Sequence, residues 1–155
     1  MKTRIVYDKP GRYEITIPFE VEGESLDWVG IVDGRRPGEY ELHVVADHRA
    51  RNTEGRVTVR AVAGEGAQVR LYGVIKIGKE AQQTNDFLEL RILTLDKTAR
   101  GLAEPVLEIE ANEVKASHAA SVGPVDPEQM LYLMSRGLSE KQAQEQIVNG
   151  YLMVE

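Results

Sequence analysis

The chain has 155 residues, enough for one domain with a real core and too few to make two full domains the expectation. Its 25 acidic residues outnumber 19 basic ones, a formal net charge of -6 that argues against nucleic acid or an anionic membrane as partner. With no cysteine, it cannot by itself supply a disulfide, a thiolate zinc site, a cysteine nucleophile or a thiolate-ligated cluster.

The opening segment, MKTRIVYDKPGRYEI, has no continuous apolar stretch of signal-peptide type. No later run approaches the ~20 apolar residues that would span a bilayer. A cytoplasmic protein is therefore expected.

From there to about Ala111 the apolar residues alternate with polar ones, between Gly, Asn, Asp and Pro punctuation. Tyr13–Ile17 is the first such segment, and Arg56–Arg60 follows. Val69-Arg70-Leu71 leads through Gly73 into Val74–Ile77, then Leu88–Ile92 and Leu107–Glu110 complete the series. Each reads as a short strand with one apolar and one polar face.

The intervening turns carry a faint repeat. GEGAQ at 64–68, GKEAQQ at 78–83 and DKTARG at 96–101 each place an alanine in a polar corner: Ala67, Ala81 and Ala99. The intervals between them are similar, and Ala116 continues the series at a comparable distance. Such intervals suit the corners of a stacked β-solenoid. They suit the hairpins of an antiparallel sandwich equally well.

At Asp126 the period becomes helical, which divides the chain into a β unit over 1–125 and a helical unit over 126–155. Asp126 is placed as an N-cap, with Pro127 at the first helical position and Gln129 at capping-box spacing. Gly137 supplies the left-handed residue that ends this helix. Ser139 and Gln142 open a second helix with the same spacing, and Leu138 and Ala143 are set as a hydrophobic staple. Ala143, Ile147 and Tyr151 fall four apart on one stripe. An α-hairpin is predicted.

Candidate chemistry is sparse. Glu108 with Glu110, and Glu20 with Glu22, are neighbours on solvated strand faces. No phosphate loop, nucleophile elbow or HExxH helix occurs, and GEGAQV is too short for a dinucleotide fingerprint. No enzyme is expected. His43 lies on the polar face of an alternating strand, and His48 at a strand end beside Asp47, which could orient it. With Glu41 these two are the only residues that would serve a cupin-like binder of metal or small molecules. His118 stands apart. It lies just after a strand, in an expected turn flanked by the small residues Ala119, Ala120, Ser121 and Gly123, where an imidazole can reach a metal without steric cover. Its co-ligands would have to come from elsewhere in the chain or from a partner.

VLEIEANEVKASHAASVG followed by DPEQMLYLMSRGLSEKQAQEQIVNGY resembles the C-terminal part of the SufB/SufD family of iron–sulfur cluster assembly scaffolds, closer to the SufD type. The resemblance rests on Leu107-Glu108-Ile109, Val114, Ser117-His118-Ala119, Val122-Gly123, Glu128-Gln129, Tyr132-Leu133 and Ser135-Arg136-Gly137. A weaker likeness runs upstream through His48, Thr53, Gly73, Ile75, Ala81, Thr84, Leu93 and Leu95, so that it covers roughly 45–153.

The resemblance implies a right-handed parallel β-helix followed by a helical region, which favours the solenoid over the sandwich. It also implies a scaffold or accessory role without catalysis. Pairing would occur through the β-helix, with a like chain or a SufB-type partner, and the C-terminal helices would dock a SufC-type ATPase. By the same resemblance His118 matches a histidine that SufD-type members place where a transient cluster forms between subunits. Asp126, Gln129, Tyr132, Arg136 and Gly137 fall in the ATPase-docking region. Typical members are considerably longer on the N-terminal side and continue helically beyond the second helix, so docking is expected to be weakened. Position 116, often cysteine in such proteins, is alanine here. Other subunits would have to supply the remaining cluster ligands, and no cluster would be held stably by this chain alone. A solenoid that kept the fold and lost the assembly role is the alternative.

Overall fold

The computed structural model describes residues 1–153; Val154 and Glu155, the end of the expected helical unit, lie outside the described residues. Among the described residues nine strands precede two helices: β1 (Lys2–Tyr7), β2 (Gly11–Phe19), β3 (Ser25–Gly34), β4 (Gly38–His48), β5 (Glu54–Ala63), β6 (Ala67–Ile77), β7 (Asn85–Thr94), β8 (Arg100–Ile109), β9 (Lys115–Pro124), α1 (Pro127–Ser135) and α2 (Glu140–Leu152). Successive strands alternate between two sheets, ordered β1-β3-β5-β7-β9 and β2-β4-β6-β8. Every pairing is parallel. The chain is therefore a solenoid, and the antiparallel sandwich that the spacing also allowed is excluded.

The register measures the coil. Gly38 lies beside Ala67, one coil on, and Glu54 beside Asn85. The alanine interval seen in the sequence is thus about half a coil. Ala67 and Ala99 sit at corners on one side of the solenoid, Ala81 and Ala111 at corners on the other, and all four are buried. Ala116 departs from the expected series, for it lies within β9 opposite Asp86. Asn112 and Glu113 bend the chain at that level, so the corner belongs to Ala111.

Because side chains alternate across a strand, in-register residues build columns through the interior. Trp28, Val57 and Leu88 form one column, and Tyr40 with Val69 and Leu42 with Leu71 form others. All of these are buried. β3, SLDWVGIVDG, lacks the alternation of its neighbours because its outer face is covered as well. Val29 and Ile31 point out of the solenoid into a second buried cluster with Val62, Val148 and Leu152. A parallel strand covered on both faces reads as a continuous apolar run.

That cluster holds the hairpin. In α2 the buried stripe is Ala143, Val148 and Leu152, with Ile147 and Tyr151 only half-buried, so the helix is rotated from the stripe expected through Ile147 and Tyr151. Each fully buried aliphatic side chain here contributes about 1.5–3 kcal/mol. Polar ties reinforce the contact: Arg4 Nη2 donates to the Leu152 carbonyl (3.1 Å), and Gln144 Nε2 donates to the Leu95 carbonyl (3.4 Å).

The helix ends follow their caps. Asp126 accepts from the Glu128 backbone N–H at 2.9 Å. The reciprocal box is formed at α2, where Ser139 Oγ accepts from Gln142 N–H and Gln142 Oε1 accepts from Ser139 N–H. Gly137, at φ 94°, closes α1, with its N–H donating to Met134 and the Leu138 N–H donating to Leu133. This paired pattern is the Schellman motif.

Tyr151 gives the docked helix a pH signature. Burial pushes its hydroxyl up to about 12, opposed by the Arg60 guanidinium, which lies 5.1 Å from the ring centroid, and by Arg91. An unfolded tyrosine gives up its proton near pH ~10. The folded chain retains that proton to higher pH, so the contribution is intact below pH ~10 and is lost as pH rises through the folded value. Denaturant unfolding above pH ~10 is expected to show a steeper loss of stability for the native chain than for Tyr151→Phe. Equal slopes would contradict the burial.

Candidate functional site

The solenoid's C-terminal end is open. β8 pairs only with β6 and β9 only with β7, so each is the edge of its sheet. The interior columns emerge there without a following coil. Ala103, Leu107, Val114 and Ala116 are only partly buried against the core, while Ile109 and Val122 are 41% and 44% exposed. Free strand edges beside uncovered apolar side chains are a template for another chain.

His118 stands in this end. It is opposite Leu88 in the register, so it continues the column of Trp28, Val57 and Leu88, with its side chain on the interior face of the last strand yet exposed, since no described residue covers it. The sequence placed it in a turn after the strand at Leu107–Glu110. That expectation is corrected: the turn falls earlier, at Asn112-Glu113, and His118 is inside β9. The small residues around it belong to an edge strand that has no further layer to fill. Among the described residues no group of three His, Cys, Asp or Glu side chains is arranged to hold a metal ion. At this end the chain offers one imidazole, and Ala116, on the same face, adds no donor.

β9 runs directly into the hairpin, the second exposed surface. Asp126, Gln129 and Tyr132 line a shallow cleft of about 410 Å³, with Leu133 and Ile147 as its apolar wall. The Arg136 guanidinium lies 5.2 Å from the Tyr132 ring centroid. Gly137 stands outside the cleft, at the link to α2. The expected box between Asp126 and Gln129 is not made, and Gln129 faces the cleft instead. No residue of α1 is buried, and Leu131 is 70% exposed. On the other side of α1, a groove of about 950 Å³ runs along Met130, Leu131 and Met134 to the β7–β8 corner at Leu95–Ala99.

The remaining histidines do not assemble a site. His43 and Glu41 face outward from β4, joined at 2.6 Å, with the ring stacked on Tyr72 at 4.5 Å. That hydrogen bond holds the Glu41 carboxyl below the usual carboxylate range. His48 has the opposite parity and is fully buried inside the solenoid. The trio considered for a cupin-like centre is therefore divided between the two faces of one strand. Asp47, the neighbour that could have oriented His48, turns outward to Arg49 at 2.7 Å. The buried partner of His48 is Asp86, which the sequence reading missed because the two are far apart along the chain, more than one full coil.

No helix among the described residues is long and apolar enough to cross a membrane. A family model described as "SUF system FeS cluster assembly, SufBD core domain" matches residues 8–151. The chain is 40% identical over 131 residues to "Iron-sulfur cluster assembly protein SufD" of Bacillus subtilis (strain 168), covering 84% of this chain and 30% of that protein. It is 32% identical over 105 residues to an iron–sulfur cluster assembly SufBD family protein of Staphylococcus aureus (strain USA300), covering 68% and 23% respectively. A relative in Staphylococcus saprophyticus matches to the same extent. The chain thus spans less than a third of the length of these curated relatives.

Proposed function

The chain belongs to the SufBD family, whose named members are iron–sulfur cluster assembly proteins, and on that premise we propose that it is a SufD-like, non-catalytic scaffold element of cluster assembly. It pairs through the open end of the solenoid with a second copy or a SufB-type chain, burying the β8 and β9 edges and the apolar columns that emerge there. Its cargo is a transient cluster at that junction, toward which His118 contributes one imidazole while the partner supplies the other ligands. The β unit over 1–125 provides this junction. The helical unit over 126–155 docks a SufC-type ATPase, with Asp126, Gln129, Tyr132, Arg136 and Gly137 in the docking region. The setting is cytoplasmic.

One observation carries the reading: among the described residues, His118 is the single metal-capable side chain on the exposed mouth of the interior, in a chain of this family. Imidazole is a suitable ligand for iron and needs no thiolate from the same chain.

His118→Ala tests it. The substitution removes an exposed side chain, so the melting temperature should stay almost unchanged. Cluster formation in a reconstituted assembly should fall by roughly tenfold or more, the scale expected when a metal site loses a coordinating or supporting group. Normal cluster formation would overturn the ligand role. Sedimentation should show a concentration-dependent dimer, and a monomer at every concentration would overturn pairing between like copies. Loss of assembly with the ATPase absent from the purified complex would point instead to a solenoid that has shed the assembly role.

A further inference from the structure

On the outer face of the five-stranded sheet, beside the last turn of α2, two arginines share one carboxyl group. Arg60 of β5 and Arg91 of β7 are neighbours in the register, and Ser121 of β9 continues their row to the sheet edge. Glu89 stands between them. Its Oε2 accepts from Arg60 Nη2 at 3.2 Å, and its Oε1 lies 2.9 Å from Arg91 Nη2. The Tyr151 ring covers the Arg60 guanidinium. The Arg60 and Glu89 side chains are 23% and 14% exposed, whereas Arg91 is 43% exposed and Ser121 is open to solvent.

The cluster is short of acceptors. A guanidinium has five N–H donors and no acceptor, and it keeps its charge. One carboxyl group therefore cannot balance two of them. Arg60 Nε–H is sealed from water and has no hydrogen-bond partner among the described residues. A buried donor left in that state costs stability, and native structures rarely keep one without a reason. Neighbouring positions on this face bring no second carboxylate. Arg60 has Ile31 opposite on β3, and Thr58 and Val62 on its own strand, while Arg91 has Leu93 and Ser121. Asp33, the next outward residue of β3, is already held by Arg35 Nε at 2.8 Å.

We propose that Arg91 and Ser121 form a site for an oxyanion, either a phosphate group or a carboxylate, and that its arrival frees Glu89 to close on Arg60. Arg91 is the member that solvent reaches, so the exchange begins there. Guanidinium groups take phosphate and carboxylate through paired N–H donors, and the Ser121 hydroxyl adds another donor. Once the oxyanion occupies Arg91, both Glu89 oxygens are available to Arg60, one for Nη2 and one for Nε. The buried donor is then satisfied beneath Tyr151, so an occupied site also tightens the seat of α2. With a net charge of -6 the chain as a whole does not attract anions, which makes this local contact the source of binding.

The test is nitrogen-15 NMR of the arginine side chains in the full-length protein. Inorganic phosphate and acetate are titrated separately at fixed ionic strength, with chloride as the reference. The Arg91 signal should move and saturate, and the Arg60 Nε–H should move with it and exchange more slowly with water. Saturation by phosphate alone identifies a phosphoryl ligand. Saturation by acetate identifies a carboxylate, as on a partner's acidic side chain. Shifts no larger than those with chloride would overturn the site, and a responding Arg91 beside an unchanged Arg60 would overturn the exchange of Glu89. Arg91→Gln alters an exposed side chain and should keep the fold. It should weaken binding of the saturating anion roughly tenfold or more, the scale of one lost hydrogen bond to a charged group. Equal affinity in that variant would overturn the role of Arg91.

Discussion

Asp86→Ala is expected to lower the free energy of unfolding by about 3 kcal/mol, since it leaves a buried polar group without its partner and opens a cavity. The loss has two parts. The His48 imidazole, fully buried, is left without the hydrogen-bond partner that lies 2.7 Å from Nε2. A void also opens beside Gly55, where no side chain can move in to fill it. Urea unfolding read by circular dichroism measures the change. The double variant His48→Leu/Asp86→Leu should recover most of the deficit, since replacing both members by apolar groups of similar volume is often close to neutral. A single variant within about 1 kcal/mol of the native chain would show that this buried hydrogen bond does not hold the corner.

Val148→Asp has the second large effect, and it is local. Val148 is 2% exposed in the cluster that joins α2 to the outer face of β3 and β5. A carboxylate there would be buried without a partner, at a cost of several kcal/mol. That exceeds what the few aliphatic contacts of the hairpin contribute, at about 1.5–3 kcal/mol per buried side chain. The hairpin should therefore release while the solenoid remains folded. Hydrogen exchange should show α2 amides unprotected and those of β5 and β7 protected. Co-elution with a SufC-type ATPase should be lost. A variant that exchanges freely in α2 yet retains the ATPase at native affinity would remove the docked hairpin from the proposed function.

Much of the fold was legible from local pattern. Strands such as Arg56–Arg60 and Leu88–Ile92 announce themselves because one face is buried and the other solvated. β3 was not legible, because α2 covers its outer face through Val29 and Ile31. β9 reads as a turn in sequence because Ser117-His118-Ala119-Ala120 carries none of the bulky β-branched residues that mark a strand. It is a strand because β7 supplies a pairing edge, which no local signal reports.

By itself the sequence determined the alternation, the alanine corners, both helix caps and the absence of any thiolate. These rest on residues within a few positions of one another, or on composition. Only the tertiary structure decided that His48 finds Asp86 and not Asp47, and that His118 ends the column begun by Trp28, Val57 and Leu88. Those neighbours lie a coil or more apart, and the coil has no fixed length: Ser25 pairs with Glu54, Glu54 with Asn85 and Asn85 with Lys115, at unequal offsets, because the corners differ in length. With side chains alternating at every position, a shift of a single position in that offset exchanges inside for outside, so the pairing is settled only when the coils stack.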